Sequence, residues 1–333
     1  MRKLFLAVAV TLASIGSATA QAPTLAGKNV NIIIGSGSGG GIDQWGRTVA
    51  RHIGKHLPGN PTVVPQNMNA AGGIVAANHI YTIAPKDGTV LGLIPAGVSI
   101  APLTSVAGAR FDPLKLTWIG TPTMFTDVCI AMARAQVKTF QDLLANELIV
   151  GTTGVGGGPY IYPKALNGLL GTKFKLVSGF PAATNVLLAL ERNEVDGVCQ
   201  NVETIVGSRP DWIADKKVNV LFQGGVRPDP KLKGVPYIVD LARTPEEKQA
   251  IEFLYAGNGF GRPFIAPPDV PAERVKMLRD AFMATMKDPQ FLADAERQKL
   301  GVQPEDGEYL AALIRRIYAT PRPIVERVTE LIK

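Results

Sequence analysis

The sequence has 333 residues, a formal net charge of +7 and two cysteines. Its basic residues are scattered without a Lys/Arg block, which argues against a nucleic-acid-binding surface and suits attraction of small anions. A chain of this length can form a sizeable core, and it favours two lobes over one.

The first twenty residues have the pattern of a secretory signal peptide. Arg2 and Lys3 precede an apolar run over residues 4–15, and Ala18-Thr19-Ala20 matches a small-residue cleavage site. We therefore expect residues 1–20 to be removed and the remainder to be exported. No later apolar run approaches the roughly 20 residues that a membrane span needs.

The first predicted unit is a strand, a glycine-rich loop and a helix. Residues 30–34 form an apolar run, residues 35–41 include five glycines, and apolar residues recur at helical spacing from Ile42 to Ile53. The free N–H groups and the dipole at such a helix N-terminus favour an anion, and glycine lets the anion approach closely. A flexible surface loop is the alternative. The loop also matches G-x-G-x-x-G, but the second strand carries no acidic residue of the kind that a dinucleotide site needs.

The same theme recurs along the chain. Further strands are predicted over residues 62–68, 90–96, 116–120, 128–133, 148–151, 174–177, 197–199 and 218–225, and helices over residues 74–84, 183–192 and 244–256 and from about residue 159. Because strands alternate with helices, we expect α/β lobes with mostly parallel sheets, and a ligand beyond the carboxyl ends of the strands. Ser99 follows the third strand at this edge. The C-terminal helices are expected to pack on the first lobe.

Few side chains suggest chemistry. Asp43 lies in the first turn of the first helix, where it either compensates the dipole or accepts a hydrogen bond from a ligand. Arg262 either clamps a carboxylate bidentately or is a surface arginine. His52 and His56 have metal-binding spacing, but no third ligand is evident, so a solvated helix face is the preferred interpretation. No nucleophile or acid–base pair is found, so we expect no catalysis, metal or cofactor.

The two cysteines leave two alternatives open. Cys129 and Cys199 both lie in apolar, strand-like runs. In an oxidising compartment they can form a disulfide, or they can remain as two buried free thiols, since spacing alone does not give their separation.

Five segments together resemble one known family. They are SGSGGGID, PQNMNAAGGIVAAN, APKDGTVLGL, LALERNEVDG and RPFIAPPDVPAERVKMLRDAFMATMKDP. In content and order they are similar to the periplasmic solute-binding proteins of tripartite tricarboxylate transporters, the Bug or TctC-like family. The resemblance implies a two-lobed, hinged α/β fold. Lobe 1 is expected over residues 27–123 and 225–333, and lobe 2 over residues 124–224.

The resemblance also implies a function and a site. Such a protein captures a small carboxylate between its lobes, largely with main-chain amides and ordered water, and delivers it to membrane permease subunits; we expect a monomer. At matching positions the resemblance points to Ser38, Gly39, Gly40, Asp43, Ala71, Gly72, Gly73, Thr152, Thr153, Gly154, Phe180, Ala182 and Asn201. An exported enzyme or a ligand sensor using the same cleft is the alternative.

Two segments depart from the family pattern. Many relatives have Phe-Ala-Ala where this chain has Gly35-Ser36-Gly37, and Tyr-Lys-Gly where it has Gly179-Phe180-Pro181. These changes make the second-lobe wall more apolar. We therefore hypothesise a carboxylate ligand with an apolar or aromatic body. The aromatic residues that we expect near the cleft are Trp45, Phe125, Tyr160 and Phe180.

Overall fold

The computed structural model describes residues 24–154 and 157–333. The predicted signal peptide, residues 1–20, lies outside the described residues. The strands are β1 (Asn29–Ile34), β2 (Thr62–Asn67), β3 (Val90–Leu93), β4 (Thr117–Thr121), β5 (Asp127–Met132), β6 (Leu148–Thr152), β7 (Phe174–Ser178), β8 (Gly197–Asn201), β9 (Val218–Gly224), β10 (Phe264–Ala266) and β11 (Glu305–Asp306). The helices are α1 (Gly41–Ile53), α2 (Ile74–Thr82), α3 (Phe140–Ala145), α4 (Gly158–Leu170), α5 (Ala183–Glu191), α6 (Val202–Ser208), α7 (Asp211–Ala214), α8 (Pro245–Tyr255), α9 (Ala272–Met286), α10 (Pro289–Arg297), α11 (Gly307–Tyr318) and α12 (Arg322–Ile332).

The strands form two sheets, which confirms the two-lobed α/β fold. The first sheet has the order β11-β4-β10-β3-β1-β2, and the second has the order β7-β6-β8-β5-β9. Strand β1 is buried on both faces: Ile33 packs with residues of α2, whereas Ile32 and Ile34 pack with Trp45 and helix α9. Burial on both faces explains why this strand is an uninterrupted apolar run in the sequence.

Both sheets are mixed, but most strands in each sheet run in the same direction, as expected. Strands β1, β2 and β3 are parallel, but β10 is antiparallel to both β3 and β4. In the second sheet β5 is antiparallel to β8 and β9. The reason lies in the crossings between lobes. A strand that enters a lobe from the cleft runs away from it, whereas a strand of a β–loop–α unit ends at the cleft.

The C-terminal helices pack on both lobes, so their predicted placement on the first lobe alone is wrong. Helix α11 contacts β4 of the first sheet, and α12 contacts α4 and α8. The side chain of Leu331 fills the space above Gly168 of α4. The predicted lobe boundaries remain a prediction. Helices α6 and α7 were missed because each is no more than seven residues long.

The cysteines form a disulfide between neighbouring strands. Cys129 of β5 pairs directly with Cys199 of β8, and their sulfur atoms are bonded. The bridge closes a loop whose ends are 70 residues apart in the sequence. It therefore fastens the strand that enters the second lobe to a strand that ends at the cleft.

We expect the disulfide to be a major source of stability. Closing a loop of this length reduces the entropy of the unfolded chain, which corresponds to about 4 kcal/mol in the chain-entropy model. The double variant Cys129→Ala/Cys199→Ala should therefore unfold at lower urea concentration, with a free energy of unfolding lower by about 3–4 kcal/mol. Adding reductant should destabilise the wild type but not the variant. Equal urea midpoints for the variant and the wild type without reductant would contradict this role.

Candidate functional site

The first glycine loop is held by Asp43, which is 3% exposed. Its carboxylate accepts hydrogen bonds from the Gly39 backbone N–H at 2.8 Å, from Arg47 Nε at 2.9 Å and from Asn67 Nδ2 at 2.8 Å. Burial works to raise the pKa of Asp43, but these hydrogen bonds outweigh it and the pKa lies below its usual value. Because protein donors already occupy this carboxylate, its geometry suits positioning of the loop.

The loops after the first three strands lie against one another. A Cβ atom on Gly73 would lie 2.6 Å from Pro95 Cδ and 2.9 Å from the Gly35 carbonyl oxygen. Gly73 has a φ of 96°, a backbone conformation that favours glycine. The absence of a side chain also lets Pro95 and Gly35 pack close to it. Ser38, Gly39, Gly40, Ala71 and Gly72 are exposed at this edge. Ser99 is fully buried, and its hydroxyl has no hydrogen-bond partner in the described part of the chain.

Loops of the second sheet face the cleft from the other side. Thr152 is fully buried, and its hydroxyl lies 2.9 Å from that of Ser178. Thr153 lies in the loop before α4, Gly154 is exposed, and Ala182 is the N-cap of α5. Asn201 caps α6 by accepting from the Glu203 N–H at 2.8 Å.

A cavity of about 690 Å³ lies between these loops and the segments that connect the sheets. Among the predicted site residues, Thr153, Ala182, Asn201 and Arg262 line it. Ser38, Gly39, Gly40, Ala71, Gly72 and Gly154 do not line it; they lie exposed in the glycine loops. Its volume falls within the range of small-molecule sites.

Arg262 lies where the chain returns from the cleft to the first sheet. Its guanidinium stacks 4.8 Å from the centre of the Phe125 ring. A Cβ atom on Gly41, in the first turn of α1, would lie 3.4 Å from its Nη2. Its Nε is buried without a hydrogen-bond partner, and no described acidic side chain lies within ion-pair distance. Burial lowers the pKa of Arg262, and attraction to the Glu203 carboxylate opposes this shift.

A buried acid, Asp127, lies at the start of β5 in the same cavity. Its Oδ2 accepts from Asn258 Nδ2 at 2.6 Å, and Asn258 Oδ1 accepts from the Tyr162 hydroxyl at 3.0 Å. The Tyr162 ring stacks on Tyr255 with ring centres 4.4 Å apart. Burial raises the pKa of Asp127 to about 6, although hydrogen bonding by Asn258 and Tyr162 opposes this shift.

Gln200 is a further polar residue that the sequence did not reveal as part of the site. It lines the cavity, is 3% exposed, and neither of its side-chain amide atoms has a partner among the described residues. A buried amide without partners is costly, which makes it a candidate for a ligand contact. The sequence signal that could have indicated Gln200 was its position next to Asn201, at the end of β8.

Two expectations about side chains are wrong. His52 Nε2 lies 3.0 Å from Asp294 and His56 Nε2 lies 2.8 Å from Asp288, so both histidines face helix α10 and not solvent. Among the aromatic residues expected near the cleft, Phe125 lines the cavity, but Trp45 is buried in the core.

The other two aromatic residues also lie outside the cavity lining. The Phe180 ring packs against Gly151 and the core of the second lobe. Tyr160 accepts from Lys164 Nζ at 2.9 Å, and Tyr162 takes the place at the cavity wall. Residues two positions apart point to different sides of a helix, which explains why Tyr162 and not Tyr160 lines the cavity.

Other features bear on possible chemistry. No group of three or more His, Cys, Asp or Glu side chains within the described ranges is arranged to hold a metal ion. In the same ranges, no helix combines the length and the apolar character needed to cross a bilayer.

Sequence comparison finds a distant relative of the chain. No protein-family model matches the sequence. The chain is 23% identical over 190 residues to a UPF0065 protein of Bordetella bronchiseptica, a match that covers 55% of this chain and 56% of that protein. It thus spans about half the length of this curated relative.

Three solved structures extend the comparison over almost the whole chain. A TctC solute-binding protein from Polaromonas matches with a TM-score of 0.72 and 20% identity, covering 90% of this chain and 98% of that one. The chain has the fold of the TctC solute-binding proteins. The periplasmic binding protein BugD matches with a TM-score of 0.55 and 20% identity, over 91% of this chain and 96% of that one. MatC from Rhodopseudomonas palustris, solved with bound malate, matches with a TM-score of 0.56 and 19% identity, over 92% and 99%. The resemblance found in the sequence is confirmed.

We expect Asp127 to make stability depend on pH. At pH values between 3.8, the ordinary pKa of an aspartate, and about 6, Asp127 is protonated in the folded protein but ionised in the unfolded chain. The free energy of unfolding therefore falls through this residue as pH rises from about 4 to about 6, by on the order of 2 kcal/mol. Asp127→Asn keeps the hydrogen bond from Asn258 and removes the titration. Urea unfolding at pH 4 and pH 7 should show the variant gaining stability relative to the wild type at the higher pH.

The matched control is Asp215→Asn, because Asp215 is an exposed aspartate on the same lobe. This control should keep the wild-type pH dependence. If the free energies of unfolding of Asp127→Asn and the wild type differ by the same amount at both pH values, Asp127 is not the source of the pH dependence.

Proposed function

We propose that the protein is a periplasmic solute-binding receptor that captures a small carboxylate between its two lobes. The observation that carries the proposal is Arg262, a cationic side chain at the cavity whose Nε is buried without a hydrogen-bond partner and which forms no salt bridge with a described residue. An arginine that is removed from water without a partner is costly, and a carboxylate is the group that its planar fork fits best. A bound carboxylate would supply the missing acceptor.

The position of Arg262 suits a ligand that contacts both lobes. Its Nη2 lies close to Gly41 at the N-terminus of α1, and its Phe125 neighbour belongs to the crossing into the second lobe. The unpaired N–H groups of α1 lie in the first lobe, and the loops at Thr153 and Ala182 lie in the second. A carboxylate held by Arg262 is therefore close to donors from both sides.

Contacts made to both lobes at once can drive closure. A ligand shifts a conformational equilibrium only through contacts that differ between the two states. We propose that the exposed glycine loops, with Asp43 as the residue that fixes the first of them, reach the ligand when the lobes close. Ser38, Gly39 and Gly40 contribute from the first loop, Ala71, Gly72 and Gly73 from the second, and Thr152, Thr153 and Gly154 from the third. Ser99, Ala182 and Asn201 complete the proposed site, whereas Phe180 supports it from the core of the second lobe.

The likeness to transport proteins supports the wider role. MatC is described with malate, and BugD is described as periplasmic. We propose that this protein is likewise exported, acts as a monomer without a cofactor and delivers its ligand to the membrane permease subunits of a tripartite transporter. No described acid–base or nucleophile pair favours catalysis.

Removing the arginine charge should weaken carboxylate binding. A hydrogen bond to a charged group contributes about 1.5–3 kcal/mol, so Arg262→Gln should weaken binding roughly 10- to 100-fold. Isothermal titration calorimetry with malate, succinate, propionate, benzoate and citrate measures this change. The protein is first unfolded and refolded to remove co-purified ligand.

The control Arg322→Gln removes an equal charge from an arginine whose side chain is 88% exposed on α12, and its affinity should equal that of the wild type. Thermal melting without ligand checks that both variants are folded. If no carboxylate binds the wild type, or if the Arg262→Gln variant binds as tightly as the wild type, the proposal is wrong. Tight binding of citrate without benzoate would reject the hypothesis of an apolar or aromatic ligand body.

A further inference from the structure

Two chain segments run side by side next to Arg262. The outgoing segment, residues 122–126, leads from β4 to β5, and the returning segment, residues 256–263, leads from α8 to β10. Because β10 is antiparallel to β4, the returning segment arrives at the first sheet where the outgoing segment leaves it. Arg262 lies in the returning segment, so its backbone is within reach of the end of β4.

The hydroxyl group of Thr121 joins the two segments. Thr121 is the last residue of β4 and is fully buried. Its Oγ1 donates to the Thr123 carbonyl oxygen at 2.6 Å and accepts from the Arg262 backbone N–H at 3.1 Å. A carbonyl oxygen can only accept, so the hydroxyl hydrogen points to Thr123 and a lone pair of Oγ1 faces the Arg262 N–H. One side chain therefore fixes the backbone of Arg262 against the end of β4.

A second, independent observation is the close approach of Gly261 to the same carbonyl group. Gly261 has a φ of 51°, in the left-handed region that favours glycine. A Cβ atom on Gly261 would overlap the Thr123 carbonyl oxygen. A side chain at this position would therefore push the returning segment away from Thr123, and with it the Arg262 N–H away from Thr121. Glycine at position 261 and threonine at position 121 thus support the same contact between the segments.

The other end of the Arg262 side chain is held as well. The guanidinium lies 4.8 Å from the centre of the Phe125 ring, and the Phe125 backbone N–H donates to the Asn258 carbonyl oxygen at 2.9 Å. The outgoing segment thus holds the backbone of Arg262, and the returning segment holds the residue on which the guanidinium stacks. A long side chain that is fixed at both ends loses less conformational freedom when a ligand binds, which favours binding.

We propose that Thr121 is a positioning residue for ligand binding, whose hydroxyl group, together with Gly261, sets the place of the Arg262 guanidinium before a ligand arrives. Thr121 is not part of the cavity lining, so it acts through Arg262 and not by touching the ligand. This inference rests on the proposed carboxylate receptor and adds a residue outside the cavity that determines its affinity.

The test removes the hydroxyl group and measures carboxylate affinity. Thr121→Val keeps the shape of the side chain and loses both hydrogen bonds. Isothermal titration calorimetry on the refolded mature protein uses whichever of malate, succinate, propionate, benzoate and citrate binds the wild type most tightly. The variant should bind about 3- to 10-fold more weakly, because Arg262 is less well positioned. Thr121→Ser restores the hydroxyl group and should return the affinity to the wild-type value.

Two further comparisons separate positioning from a general loss of stability. Thr117→Val is the matched control, because Thr117 lies on the same strand and its hydroxyl also donates to a backbone carbonyl, that of Pro267, at 2.8 Å. Its affinity should equal that of the wild type. Because Thr121 acts through Arg262, Thr121→Val should weaken binding no further when it is added to Arg262→Gln. Thermal melting without ligand checks folding, and Thr121→Ala, which should show the same loss, replaces Thr121→Val if that variant does not fold.

The possible failures are distinguishable. If no carboxylate binds the wild type, or if Arg262→Gln binds as tightly as the wild type, the proposed receptor function is wrong and the positioning role is wrong with it. If Arg262→Gln weakens binding but Thr121→Val does not, only the positioning role is overturned. A loss that Thr121→Ser fails to restore, or that is equally large with and without Arg262→Gln, also overturns it.

Discussion

The candidate site depends on a cationic side chain that is held between two sheets and forms no salt bridge with a described residue, although the Glu203 carboxylate attracts it across the cavity. Arg262 stacks on Phe125, lies beside the first turn of α1, and keeps a buried Nε with no described group to accept its hydrogen. A folded protein retains such a group at a cost in stability, because the charge is partly removed from water. The same feature would favour an anion, since a carboxylate that enters the cavity would supply both an acceptor and a balancing charge.

The direction of the strands places the rest of the site around this arginine. Strands β1 and β3 end at the cleft and continue into loops, whereas β5 and β10 start from it. The entering strands therefore begin near the cavity: Asp127 is the first residue of β5, and Arg262 lies two residues before β10. Asp43, Arg47 and Asn67 fix the first loop from behind, and the disulfide fixes β5 to β8. Rigid supports of this kind keep donors in place before a ligand arrives, which lowers the cost of binding.

Local patterns predicted the elements well and the site side chains poorly. The apolar run of β1 and the glycine loop before α1 are local signals, and each was found from the sequence. The direction of β5 and the pairing of Cys129 with Cys199 depend on distant parts of the chain, so spacing left them open. Asp127 and Gln200 were missed because a single polar residue at a strand end looks like any loop residue until its burial is known. Trp45 was misplaced because an amphipathic helix does not reveal which apolar residue faces the cleft.

A pair of crystal structures, with and without a bound carboxylate, tests the central claim most directly. The ligand should be the compound that gives the largest thermal stabilisation of the refolded protein. We predict that a carboxylate oxygen lies within hydrogen-bonding distance of Arg262 Nε and of backbone N–H groups of the first glycine loop, with the two sheets closer together than in the free protein. A carboxylate bound to one lobe alone, with Arg262 still unpaired and the lobes unmoved, would contradict the account.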